Sequence, residues 1–146
     1  MTQEELDLRE ALASLAEHDG GRRLLQLALR GLESGDRELV SGCWTRKGDA
    51  GCLFQQSYWQ GVSEGQFPDD GQARAWVSGV AGRDAYHRVI DVIAAFDELA
   101  KAEFAVERRR VRPPLLDRDR WRAEVTHLLV DTLGTGDRAS DAVLTG

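Results

Sequence analysis

Apolar side chains recur every three to four residues along most of the chain, and each such run is closed by a glycine-, proline- or aspartate-containing turn. Thr2 to Glu17 sets Leu8, Leu12, Leu15 and Ala16 on one stripe, with Thr2 and Glu5 at capping-box spacing. Asp19-Gly20-Gly21 is expected to stop this helix, because glycine takes the left-handed cap conformation cheaply. A second helix over about residues 22–33 turns Leu24, Leu25, Ala28, Leu29 and Leu32 inward, so the first two helices read as an antiparallel hairpin. His18, between them, reads as a cap that favours the dipole of the first. Gly51 to Glu64 repeats Phe54, Tyr58 and Val62 at four-residue spacing, and residues 72–80 form a short helix around Trp76, Val77 and Val80.

The strongest pattern runs from Asp84 to Phe104. Ala85, Val89, Val92, Ile93, Phe96, Leu99 and Ala100 share one broad face, and no Gly or Pro interrupts it. It is the expected centre of a bundle. Pro113-Pro114 then forbids helix. Arg118 to Leu133 forms the last helix, with Trp121, Val125, Leu128, Leu129 and Thr132 inward. Residues 38–45 read equally as a short helix or a strand, and Arg46-Lys-Gly-Asp49 as a turn, which leaves a small β-hairpin near residues 38–50 open. The fold class is therefore mainly all-α: a single-domain helical bundle of five or six helices over residues 1–134, with a frayed C-terminal tail over 135–146.

Composition narrows the function classes. At 146 residues the chain buries about 70% of its unfolded surface, enough for a core without disulfides or metal. The net charge of −6 disfavours nucleic acid and anionic membrane as general partners. Two cysteines, an acidic start at Met1-Thr-Gln-Glu-Glu-Leu-Asp7 and no long apolar run point to a cytoplasmic protein without a membrane segment.

The charge is unevenly placed. From Arg108 to Arg122 seven arginines stand against two aspartates, which is +5 inside a chain of −6 and leaves −11 on the remainder. Arginine forks suit carboxylates and phosphates, so Arg108, Arg109, Arg110, Arg112, Arg118 and Arg122 form a candidate docking segment for an acidic protein surface or nucleic acid. Trp59 and Trp76, on short glycine-flanked helices, either join the core or line a groove beside it. The preferred function is a non-catalytic helical interaction or regulatory protein that docks a protein partner through the basic segment and an aromatic groove. It needs no cofactor, and self-association stays open.

Three other patterns carry chemistry. Asp84-x-x-His87-x-x-x-Asp91 and Glu124-x-x-His127-x-x-x-Asp131 repeat one spacing, which aligns acid and imidazole along a helix. Glu-x-x-His resembles half of the ferritin-like di-iron motif, and the resemblance implies metal ligation by His87, Asp91, Glu124 and His127. On both helices that stripe lies away from the apolar face, so apolar packing turns it to water. Next, Asp49-Ala-Gly-Cys-Leu-Phe54 resembles the Asp-Gly-Asn-Cys-Leu-Phe nucleophile motif of ovarian-tumour-type cysteine proteases, which implies isopeptide hydrolysis with Cys52 as nucleophile. That family places a late histidine on a strand before an aromatic. Here the late histidine is His127, in a helical pattern, followed by Leu128. Finally, Cys43 and Cys52, with eight residues between them, offer a disulfide or two thiolate ligands.

Overall fold

The computed structural model describes residues 1–35, 37–42, 44, 50–106 and 111–134. These residues form six α-helices: α1 (Gln3–Ala16), α2 (Asp19–Ser34), α3 (Leu53–Ser63), α4 (Ala73–Ala81), α5 (Tyr86–Phe104) and α6 (Arg118–Leu133). Two short strands, β1 (Glu38–Leu39) and β2 (Ala50–Gly51), lie between α2 and α3. The all-α bundle expected from periodicity is the observed architecture. The expectation for the tail over 135–146 lies outside the described residues. Among the described residues no helix is long and apolar enough to cross a membrane.

The centre of the bundle is α2, not α5. It packs against α1, α3, α4 and α6, whereas α5 lies mainly along α1 with a smaller contact to α4. The reason is circumference. Leu24, Leu25, Leu27, Ala28, Leu29 and Leu32 wrap most of the way around α2, and Gly21 and Gly31 complete its buried surface. On α5 the buried residues are Val89, Val92, Phe96, Leu99 and Ala100, while Ile90 on the far side is 43% exposed.

Gly20 and Gly21 do not end α1. The turn is only Glu17 and His18, and both glycines sit in the first turn of α2. They serve close approach. A Cβ on Gly20 would stand 2.0 Å from the Val80 carbonyl oxygen, and one on Gly21 would stand 2.3 Å from the Leu15 carbonyl oxygen. His18 acts through its backbone as the residue before α2: its carbonyl accepts from the Arg22 N–H at 2.8 Å, and its imidazole makes no cap bond.

The strand pair is parallel, with Glu38 opposite Ala50 and Leu39 opposite Gly51. A hairpin requires antiparallel strands, so that expectation is corrected to a parallel bridge. The Val40 N–H extends it by donating to the Gly51 carbonyl at 3.1 Å. Gln56 of α3 then ties both strands to the helices, since its side-chain amide donates to the Glu38 and Gly51 carbonyls at 3.0 and 3.3 Å.

Two packed clusters result. The larger draws on all six helices, and Trp121 sits in it with ring centroids 5.4 Å from Phe96 and 5.5 Å from Phe104. The smaller holds Leu27, Tyr58, Phe67 and Ala73, with Trp76 stacked on Phe67 at 5.7 Å. Trp76 is thus packed, with its indole N–H donating to Asp70 at 3.0 Å. Asp70 also accepts from the Gln72 N–H, and these bonds hold its carboxyl below the usual carboxylate range. The Tyr58 hydroxyl donates to the Pro68 carbonyl at 2.8 Å, and burial pushes its acidity down, raising its pKa.

Candidate docking surface

Val111 is the anchor of the basic segment. It is buried, its N–H donates to Ser41 Oγ at 2.7 Å, and its carbonyl accepts from the Ser41 N–H at 3.0 Å. Ser41 is itself fully buried, so this reciprocal pair closes a link between residues 70 apart in sequence. Pro113 is buried next. The two prolines lack N–H groups and fix φ, so the chain leaves the anchor extended. It then tightens into a 3-10 turn over Leu115–Asp117, where the Asp117 N–H donates to the Pro114 carbonyl at 2.8 Å.

This turn points apolar side chains at water. Leu115 is 74% exposed and Leu116 is 96% exposed. The other exposed large hydrophobics among the described residues, Met1, Leu6 and Ile90, are single and apart in sequence. Isolated exposed leucines are ordinary on a protein surface, but an adjacent pair held out on a proline-stiffened turn presents a ready contact at little ordering cost. Sequence periodicity does not find this pair. The only cue is that Pro-Pro-Leu-Leu precedes the α6 stripe.

Arginines surround the turn. Arg112 and Arg118 both reach Glu38, at 2.7 and 3.1 Å, so one carboxylate faces two guanidiniums. Arg120 stands 3.3 Å from Asp117 and 4.0 Å from Glu103. Arg122 faces inward: it donates to the Leu32 carbonyl at 3.0 Å and to the Arg37 carbonyl, which meets the open end of α2 with positive charge. Arg122 is therefore a structural tie, while Arg112, Arg118 and Arg120 form the outer rim. Arg108, Arg109 and Arg110 lie outside the described residues.

A shallow groove also runs along α6. It holds about 510 Å³ between α2 and α6, with Leu32, Ala123, Thr126 and Val130 along it and Glu33 and Asp119 at its rim. Asp119, Ala123, Thr126 and Val130 recur at helical spacing along one side of α6, which begins directly after the exposed turn.

The other candidate residues are not brought together in this way. His87 and Asp91 are exposed on α5, and Asp91 lines an open cleft with Glu4, Asp7, Glu10 and Glu98. On α6, His127 is mostly exposed, with Nε2 3.4 Å from Asp131, which also pairs with Arg9 at 2.9 Å. Glu124 is half-buried. Burial raises its pKa, and a carboxyl–carboxylate hydrogen bond with Glu103, with the charge of Glu103, adds to the rise. Among the described residues no group of three or more His, Cys, Asp or Glu is placed to hold a metal, so His87, Asp91, Glu124 and His127 do not form one ligand set. Apolar packing turns His87, Asp91 and His127 outward, as the helical wheel suggests, while Glu124 is half-buried beside Glu103.

Cys52 stands just before α3, as the nucleophile motif requires, but its thiol is 2% exposed inside the larger core cluster. His127, the late histidine of the resemblance, stands at the surface of α6 with Nε2 3.4 Å from Asp131. Cys43, and with it the Cys43–Cys52 pairing, lies outside the described residues. Compared with protein-family models, with curated proteins and with solved structures, the chain finds no match in any of the three.

Proposed function

We propose that the chain is a non-catalytic cytoplasmic interaction protein that docks an acidic protein partner on the turn at Leu115–Leu116 and the adjoining α2/α6 groove. The observation that carries this reading is the exposed leucine pair on an anchored turn with Arg112, Arg118 and Arg120 around it. The cytoplasmic setting rests on composition, with only two cysteines in the chain.

Magnitudes set the kind of partnership. Burying two leucines yields about 3–6 kcal/mol gross. Association costs of about 4–15 kcal/mol oppose it. The leucines alone therefore do not hold a partner. The groove and the arginine rim must contribute, and the expected affinity is roughly micromolar. An amphipathic helix with apolar residues at four-residue spacing and glutamates beside them meets both the apolar and the charged requirement. Phosphates would satisfy the arginines but leave the leucines uncovered, which favours protein over nucleic acid.

The test is fluorescence anisotropy with three labelled probes: an acidic amphipathic peptide of that pattern, the same peptide with lysine for glutamate, and a short DNA duplex. The reading predicts salt-sensitive binding of the acidic peptide, at least about tenfold tighter than the lysine peptide. Equal binding of the two peptides, or tighter binding of the duplex, contradicts it.

A further inference from the structure

Where α2 crosses α3 the two backbones come close. The buried Ser57 Oγ donates to the Leu24 carbonyl at 2.9 Å, and a Cβ on Gly31 would stand 3.2 Å from the Gln56 carbonyl oxygen. Past this crossing a partly enclosed pocket of about 130 Å³ opens, lined by Gly31, Ser34, Arg37, Gln56, Trp59 and Ser63. That volume is well below the roughly 300–1,000 Å³ of drug-sized ligand sites, so it suits a single small group.

The pocket wall is built rigidly. The Trp59 ring lies against Gly51, where a Cβ would stand 2.7 Å from its Cη2 atom, and the Arg37 guanidinium lies over that ring, 4.2 Å from its centroid. Gln56 is held by its bonds to Glu38 and Gly51. Among the described residues no carboxylate lines the pocket, and the carboxylate next to Arg37 in sequence, Glu38, is engaged by Arg112 and Arg118. Yet Arg37 Nη1 is buried and has no hydrogen-bond partner among the described residues. A buried charged donor left unsatisfied is costly, and stacking on an indole leaves the guanidinium edge able to donate in its plane.

We infer that this pocket binds a small oxyanion, a carboxylate or a phosphate group, with Arg37 as the charged donor and Trp59 as the platform that holds its plane. This inference stands apart from the docking reading and uses none of its leucines.

Isothermal titration of the purified chain with sodium phosphate and with sodium acetate, against sodium chloride at matched ionic strength, tests it. Phosphate stabilises proteins non-specifically, so binding heat is read in place of melting temperature. The expected result is saturable binding of at least one oxyanion, absent with chloride and weakened at least about tenfold in Arg37→Gln. Saturation by phosphate alone assigns a phosphate ligand, and saturation by acetate assigns a carboxylate. Should Arg37→Gln fail to fold, Arg37→Lys keeps the charge without the planar fork and is expected to weaken binding as well. No saturation by either anion, or equal binding by the folded variant, overturns the inference.

Discussion

α2 and the segment from Val111 to Arg118 use leucine in opposite ways. Each of the five leucines of α2 is at most 5% exposed, while both leucines of the segment stand out in water. The residue type is the same, so the backbone decides. In α2 the side chains emerge all round a helix that four others cover, and glycines admit the neighbouring backbones. In the segment two prolines and one buried residue pin the backbone, and the chain turns before its leucines can reach the core. Exposure here comes with anchoring. An apolar pair on a loose loop could fold back, but this pair is held out.

The largest effect is expected at the tight side of the comparison. Gly20→Ala drives a methyl into the Val80 carbonyl, which a backbone atom cannot evade cheaply. Overpacking of this kind costs about 1–3 kcal/mol or more, partly offset by about 1 kcal/mol of helix propensity. A net loss of about 2 kcal/mol or more in urea denaturation is the expected outcome, and a neutral result would show that α2 and α4 are not in such close contact.

The next effect removes the anchor. Ser41→Ala leaves the buried Val111 N–H without its acceptor, at a cost of about 1–3 kcal/mol. Hydrogen exchange should quicken at Val111 and across the turn to Asp117 while α2 stays protected. Uniform loss of protection would show that the segment and the core are one cooperative unit.

A smaller effect has the opposite sign. The pKa of Glu124 is raised, so the folded state holds that proton more tightly than the unfolded state does. Its ionised form thus costs stability above the ordinary carboxylate range, and the cost disappears as pH falls through the folded-state value. Glu124→Gln should therefore stabilise the protein at pH 7, and the gain should vanish near pH 4. Solvent screening keeps it below about 1 kcal/mol. Denaturation at the two pH values reads it, and a gain that persists in acid would contradict the assignment.

Sequence periodicity reaches the helices because local phase sets which residues face inward, so the all-α bundle and most of the inward sets of α5 and α6 are legible, although at the end of α6 Leu133 is buried and Thr132 only half-buried. The central position of α2 is less so, since it depends on glycines whose value lies in other helices: Gly20 against α4 and Gly31 against α3. Read locally, Gly20-Gly21 looks like a terminator. The basic segment is legible as charge, but its distribution between inward Arg122 and the outer rim is not, because the Leu32 and Arg37 carbonyls that Arg122 meets are 90 and 85 residues away. The Leu115–Leu116 exposure follows from the Ser41–Val111 link, another long-range contact. Arg37 and Trp59 carry no motif, and only their stacking brings them into view.

In the docking reading the leucine pair serves the partner and not the fold. The most direct test is the affinity of the acidic amphipathic peptide for the Leu115→Ser, Leu116→Ser double variant, with urea stability measured on the same preparation. Stability within about 0.5 kcal/mol of the parent chain is expected. Peptide binding should weaken by at least about tenfold. Unchanged affinity, or a variant that has lost its fold, would contradict it.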